Sequence, residues 1–120
     1  MSVSADYLDY LRELLAPLGR ITSRRMFGSV GLYCDGLFFA IVSDDQLYLK
    51  VDAENRGDFE REGLEPFSYE ANGKISTMNY YRAPDEAMDA PALMQPWARS
   101  AIAAALRSHK PTDRKRKSGS

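Results

Sequence analysis

A chain of 120 residues with 44% apolar side chains builds one compact core and is too short for two. Its near-neutral total hides a split: residues 1–107 carry 11 basic and 16 acidic side chains, a net −5, whereas residues 108–120 carry 5 and 1, a net +4. A single Cys and a single His exclude an intramolecular disulfide, a zinc cluster, a Ser/His/Asp triad and a Cys/His dyad, and no opening apolar run could serve as a signal peptide or cross a bilayer. The composition thus leads us to expect a cytoplasmic chain without membrane contact, metal, cofactor or catalytic residue.

From Ser4 the apolar positions Tyr7, Leu8, Leu11, Leu14, Leu15 and Leu18 recur with the spacing of a helix that buries one stripe. Ser4 is placed to cap the first turn, Pro17 falls in the last turn or a short irregular exit, and Gly19 ends the element. Strands are then predicted at Ser23–Phe27, Val30–Cys34, Leu37–Val42 and Leu47–Val51, rich in β-branched and aromatic residues. Asp35-Gly36 is a two-residue hairpin signal, because a type I′ turn needs positive φ at both central residues. Regular pairing from that turn sets Tyr33 opposite Phe38, Leu32 opposite Phe39 and Val30 opposite Ile41. Strict alternation then gives Tyr33, Phe38, Ala40, Val42, Leu47, Leu49 and Val51 to a helix-covered face, and Val30, Leu32, Phe39 and Ile41 to the other, with Tyr48 and Lys50 toward its edge.

Residues 52–63 read as a short helix with Asp52 as cap and Gly63 as stop. A second hairpin follows, 66–71 with 74–81, turned at Asn72-Gly73. The last helix spans about Asp89–Arg107 with Trp97 as its anchor; Pro96 either kinks it or starts a second segment. Residues 108–120 offer no apolar side chain to fold upon and read as a disordered basic tail, leaving 1–107 as the domain. The order is thus α-β(3–4)-α-β(2)-α, an α+β domain with an antiparallel sheet of five to six strands and helices packed on it.

Several residue groups invite a site reading. Gly28-Ser29-Val30-Gly31 has the spacing of a nucleic-acid clamp, but such clamps join helices and this one precedes a strand, so a tight turn or bulge explains it better. Asp44-Asp45 is good turn chemistry, and Asp85, Glu86 and Asp89 suit the start of a helix. Cys34 beside Asp35 stays a thiol and packs as a small apolar residue. One of Arg24 and Arg25 faces the apolar side or an edge, where a guanidinium seeks a carboxylate or a phosphate; an ion pair within the acidic body is the leading reading. Tyr69, Tyr80 and Tyr81 form either a stacking platform for bases or an ordinary sheet edge. Arg114, Lys115, Arg116 and Lys117 offer a modest, salt-sensitive attraction to phosphate.

Together, Arg25-Met26-Phe27-Gly28, Gly31-Leu32-Tyr33, Asp35-Gly36, Leu47-Tyr48-Leu49-Lys50, Pro66-Phe67, Met78-Asn79-Tyr80-Tyr81 and Trp97-Ala98 form a pattern in order and spacing. It resembles the N-terminal domain of the TfoX/Sxy family of bacterial competence regulators over about residues 5–107. The resemblance implies a two-layer α+β domain similar to the secretion-chaperone-like and YjbR-like folds, and a regulatory, non-enzymatic role. It also implies kinship with regulators of DNA-uptake genes that act with the cyclic-AMP receptor protein and carry a second, helical C-terminal domain. A short basic tail stands in that place here, so a stand-alone module is expected and the competence role does not transfer directly.

The expected function is a regulatory protein-binding module in transcription. The second sheet face (Val30, Leu32, Phe39, Ile41 and Tyr48) is the expected contact for a partner or a second copy in a homodimer. Burying its four large aliphatic and aromatic side chains is worth roughly 6–12 kcal/mol gross, before association entropy. The alternative is direct, weak nucleic-acid binding through Arg24, Arg25 and the tail cluster Arg114–Lys117.

Overall fold

The structure, a computed structural model, describes residues 3–26 and 28–108. Helix α1 (Ala5–Leu15) begins where the Ser4 hydroxyl accepts the Tyr7 N–H at 3.2 Å, and it buries Leu8, Leu11, Leu14 and Leu15. A 3₁₀ turn at Ala16–Leu18 accommodates Pro17 at the helix exit. Gly19 follows at φ +150°, and a Cβ there would lie 2.7 Å from the Asp35 carboxylate, which accepts the Arg20 N–H at 3.0 Å. That close approach ties the end of the first helix to the first hairpin turn.

Six strands follow: β1 (Ile21–Met26), β2 (Ser29–Cys34), β3 (Leu37–Ser43), β4 (Gln46–Lys50), β5 (Pro66–Ala71) and β6 (Lys74–Arg82). They form one antiparallel sheet in the order β1-β2-β3-β4-β6-β5. The hairpin turns have positive φ at both central residues, Asp35 and Gly36, Asp44 and Asp45, Asn72 and Gly73. That is the geometry of the I′ turn, whose twist matches that of the strands it joins. Phe27, expected at the end of the first strand, lies outside the described residues.

The pairing of β2 with β3 departs from regular alternation. Tyr33 pairs with Phe38 as expected, but Leu32 pairs with Ala40 and Val30 with Val42, so Phe39 is an extra residue in β3. This β-bulge lets two consecutive residues, Phe39 and Ala40, both enter the core at 0% exposure. It corrects the face assignment by one step. Val30, Leu32 and Phe39 belong to the helix-covered core, while Tyr33 and Phe38 belong to the opposite face.

Both long helices, α1 and α3 (Pro91–Ser108), pack against the same side of the sheet and against each other. α3 fits closely because it presents Ala98, Ala101, Ala104 and Ala105, all buried, beside Met94. It runs through Pro96 as one helix. The short helix α2 (Arg56–Arg61) is held by Phe59, whose ring meets Trp97 edge-on at 5.0 Å and Tyr81 at 6.0 Å. Asp52 does not cap α2 directly. Its carboxylate accepts the Glu54 and Asn55 N–H groups in the turn before the helix, and it pairs with Arg107 at the end of α3. Buried Asn55 completes the joint: its amide oxygen accepts the Asp52 N–H at 2.7 Å, and its nitrogen donates to the Lys50 carbonyl and to the Ser100 hydroxyl. Among the described residues no helix is long and apolar enough to cross a membrane.

Candidate functional site: the second face of the sheet

The face away from the helices carries aromatic rings at successive strand positions. Tyr33 and Phe38, directly paired across β2 and β3, stack at 5.1 Å, and Phe38 meets Tyr80 of β6 at 5.7 Å. A second group continues the layer: Tyr48 of β4 meets Phe67 of β5 edge-on at 4.9 Å, and Phe67 stacks on Tyr69 at 6.4 Å. Ile41, paired with Tyr48, lies between the groups and is only 3% exposed, so its neighbours on this face already shelter it. Tyr80 is equally enclosed, and burial pushes its phenol up to about 12.

Cations sit among the rings. Lys50, paired with Tyr80, holds its ammonium 5.1 Å from the centre of that ring. Arg82, paired with Tyr48, reaches Asp85 at 3.0 Å. Arg24, opposite Gly31 on edge strand β1, is exposed, and so is Lys74 at the far end of β6. Among the described residues, the strand positions of this face include no carboxylate. The acids of the described residues lie on helices, in turns and loops, and on the outer hairpin's other side.

The outer hairpin extends the layer beyond the body. β4 pairs with β6 at Tyr80, Tyr81 and Arg82, flanked by the hydrogen bonds from Val51 N–H to the Asn79 carbonyl and from Ala83 N–H to the Leu47 carbonyl, so residues 67–78 of the outer hairpin reach past the end of β4. Tyr69 and Met78 remain exposed there, and Ile75, on the other side of the hairpin, is 78% exposed.

The residues singled out from sequence therefore separate. Ile41 and Tyr48 lie on this face; Val30, Leu32 and Phe39 lie beneath the helices, for the reason given by the bulge. Arg24 and Arg25 are exposed on β1, and among the described residues neither makes the ion pair expected of it. Tyr69 and Tyr80 join the aromatic layer, whereas Tyr81 turns to the other side, where it packs on Phe59 and donates to Glu60. Cys34 is buried and its thiol, pushed up by burial and by Asp35, reaches the Leu18 carbonyl at 3.7 Å. Asp85, Glu86 and Asp89 lie in a 3₁₀ turn rather than the first turn of α3, and Asp45 accepts the Ser4 N–H at 2.9 Å from its hairpin turn. Arg114, Lys115, Arg116 and Lys117 lie outside the described residues.

Sequence reasoning missed Tyr33, Phe38 and Phe67 as members of this layer. The usable signal was the Tyr33–Phe38 cross-strand pair, an aromatic match next to a turn of known register. Its face was misread because Phe38 and Phe39 are alternatives that alternation alone does not separate.

These features define a class: a two-layer α+β domain whose sheet has helices on one side and an aromatic, cationic surface on the other. The chain belongs to the TfoX N-terminal domain family, whose model matches residues 13–105. Over 64 residues it is 39% identical to the DNA transformation protein TfoX1 of Aliivibrio fischeri, a match covering 53% of this chain and 31% of that protein. Over 77 residues it is 38% identical to Protein Sxy of Escherichia coli, covering 64% of this chain and 36% of that protein. The chain thus spans about a third of the length of these curated relatives.

Proposed function

We propose that this domain is a non-enzymatic regulatory module of the competence-regulator kind, acting in the cytoplasm by holding a protein on the second face of its sheet. The observation that carries this reading is the aromatic layer from Tyr33 to Tyr69, which none of the described helices covers. Aromatic side chains at sheet positions supply large contact area at small cost in rotamer freedom, the residue type that dominates protein contacts. The named relative that is a DNA transformation protein supports a role in controlling DNA-uptake genes.

The test is transcript abundance in a bacterium that expresses the chain. Expression is expected to change the abundance of a defined gene set, and the paired substitution Tyr33→Ser/Tyr69→Ser is expected to abolish the change while circular dichroism shows the fold retained. Unchanged transcripts with the parent chain, or a folded variant as active as the parent, would overturn the proposal. Tyr69→Ser alone serves where the pair destabilises, since that ring is 45% exposed. Direct nucleic-acid contact is the second reading, favoured by the exposure of Arg24 and Arg25 without a carboxylate partner among the described residues.

A further inference from the structure

We infer that the occupant of this face is an acidic segment of a partner protein with aromatic or aliphatic anchors, rather than a second copy of the chain, its own tail or a nucleic acid. The inference rests on the docking reading above and adds the chemistry of the partner. Charge decides between the candidates.

Lys50, Arg24, Lys74 and Arg82 share the face, and among the described residues only Arg82 has a carboxylate neighbour, Asp85. A second copy related by two-fold symmetry presents the same patch, so it brings the same cations and no strand-borne acid to answer them. The chain's own tail fails for the same reason. Ser108, the last described residue, lines a cleft with Tyr33, Phe38, Lys50 and Tyr80, and the residues after it carry five cations and one acid. A segment of that net charge does not neutralise the cations of the face.

Nucleic acid matches the sign of the face but not its rings or the rest of the body. Bases stack on free ring faces, whereas Tyr33 and Phe38 stack on each other and the Lys50 ammonium lies over Tyr80. Residues 1–107 also hold 16 acidic against 11 basic side chains, which repel a phosphate backbone approaching anywhere else. A protein segment meets both conditions. Its carboxylates answer Arg24, Lys50 and Lys74, and its apolar side chains pack between the two ring groups and along Tyr69 and Met78 of the hairpin. The acidic remainder of the body then rejects misplaced binding of the same segment, which confines it to the face.

The experiment selects from a random dodecapeptide library on the immobilised full chain, and in parallel on an Arg24→Glu/Lys50→Glu variant shown by circular dichroism to be folded. The tail is present in both chains, so attraction to the tail alone cancels. Enriched peptides are expected to be rich in Asp and Glu with Phe, Leu or Tyr anchors, and to bind the variant at least tenfold more weakly by fluorescence anisotropy. Where the pair fails to fold, Lys74→Glu on the outer hairpin gives the same comparison with a smaller expected loss. Enrichment of neutral or basic peptides, no enrichment, or acidic peptides that bind variant and parent alike would overturn the inference. So would binding of a dodecamer of deoxythymidine that the same variant abolishes, or a dimer in light scattering that the variant dissociates. Transcript control that persists while selection fails removes only this inference; loss of transcript control by the parent chain removes the regulatory reading beneath it.

Discussion

Asp52 joins parts of the chain that lie far apart in sequence. Its carboxylate takes Arg107 Nε at 2.6 Å and Nη2 at 2.9 Å, and the backbone N–H groups of Glu54 and Asn55 at 3.0 and 3.2 Å. The hydrogen bonds from Arg107, with those two N–H groups, hold the carboxyl down to about 2, against 3.8 for a free side chain. Because the folded state binds this proton more weakly than the unfolded chain, the contact contributes fully above about pH 4 and is lost as pH falls toward 2. Asp52→Asn is therefore expected to cost about 1 kcal/mol at neutral pH, after allowance for solvent screening, and almost nothing near pH 2. Urea unfolding of both chains across that interval measures the difference. The sequence marks Asp52 as the cap of α2, and the structure moves that role to the turn just before the helix, where its carboxylate still accepts neighbouring backbone N–H groups. Arg107 stands 55 positions away, and no local pattern indicated the pair.

At the scale of elements, the bulge at Phe39 decides which surface is core. Phe39→Ala is expected to lower stability by about 3–5 kcal/mol, the cost of emptying a fully buried aromatic site, whereas Tyr69→Ala is expected to change it by no more than about 0.5 kcal/mol. Chemical denaturation of the two variants checks the contrast, and equal losses would contradict the register described here. The hairpins were legible because positive φ at Asp35-Gly36 and Asn72-Gly73 leaves few residue choices. The amphipathic stripe of α1 was legible because four leucines face one way. The bulge was not legible, since large apolar side chains on both sides of it, Phe38 and Phe39 with Ile41 and Val42, satisfy either register. The one-step shift moved three residues out of the candidate site and two into it, while Ile41 and Tyr48, beyond the bulge, kept their side. The path through Pro96 was left open by sequence, and packing of the small residues after it against the sheet carries α3 through as one helix.

At the scale of the whole molecule, two apolar surfaces of one sheet meet different fates. The helix side is a closed core of aliphatic side chains with Phe39 and Phe59, and the other side is a layer of rings studded with cations. The sheet itself has two unequal parts, joined by the pairs Tyr48↔Arg82, Leu49↔Tyr81 and Lys50↔Tyr80 and by two flanking backbone hydrogen bonds, Val51 N–H to the Asn79 carbonyl and Ala83 N–H to the Leu47 carbonyl. A two-stranded ribbon that projects past its neighbours has little to hold its amides closed. Deuterium uptake is thus expected to be fast at Ser68 and Thr77 and slow at Leu32 and Ala40, as read by mass spectrometry of the free chain. With so short a junction, a ligand that lies across both parts of the sheet is expected to pin the ribbon as well. Slowed exchange at its tip, with no change at the bulge, would then report occupancy from the molecule's most distant corner.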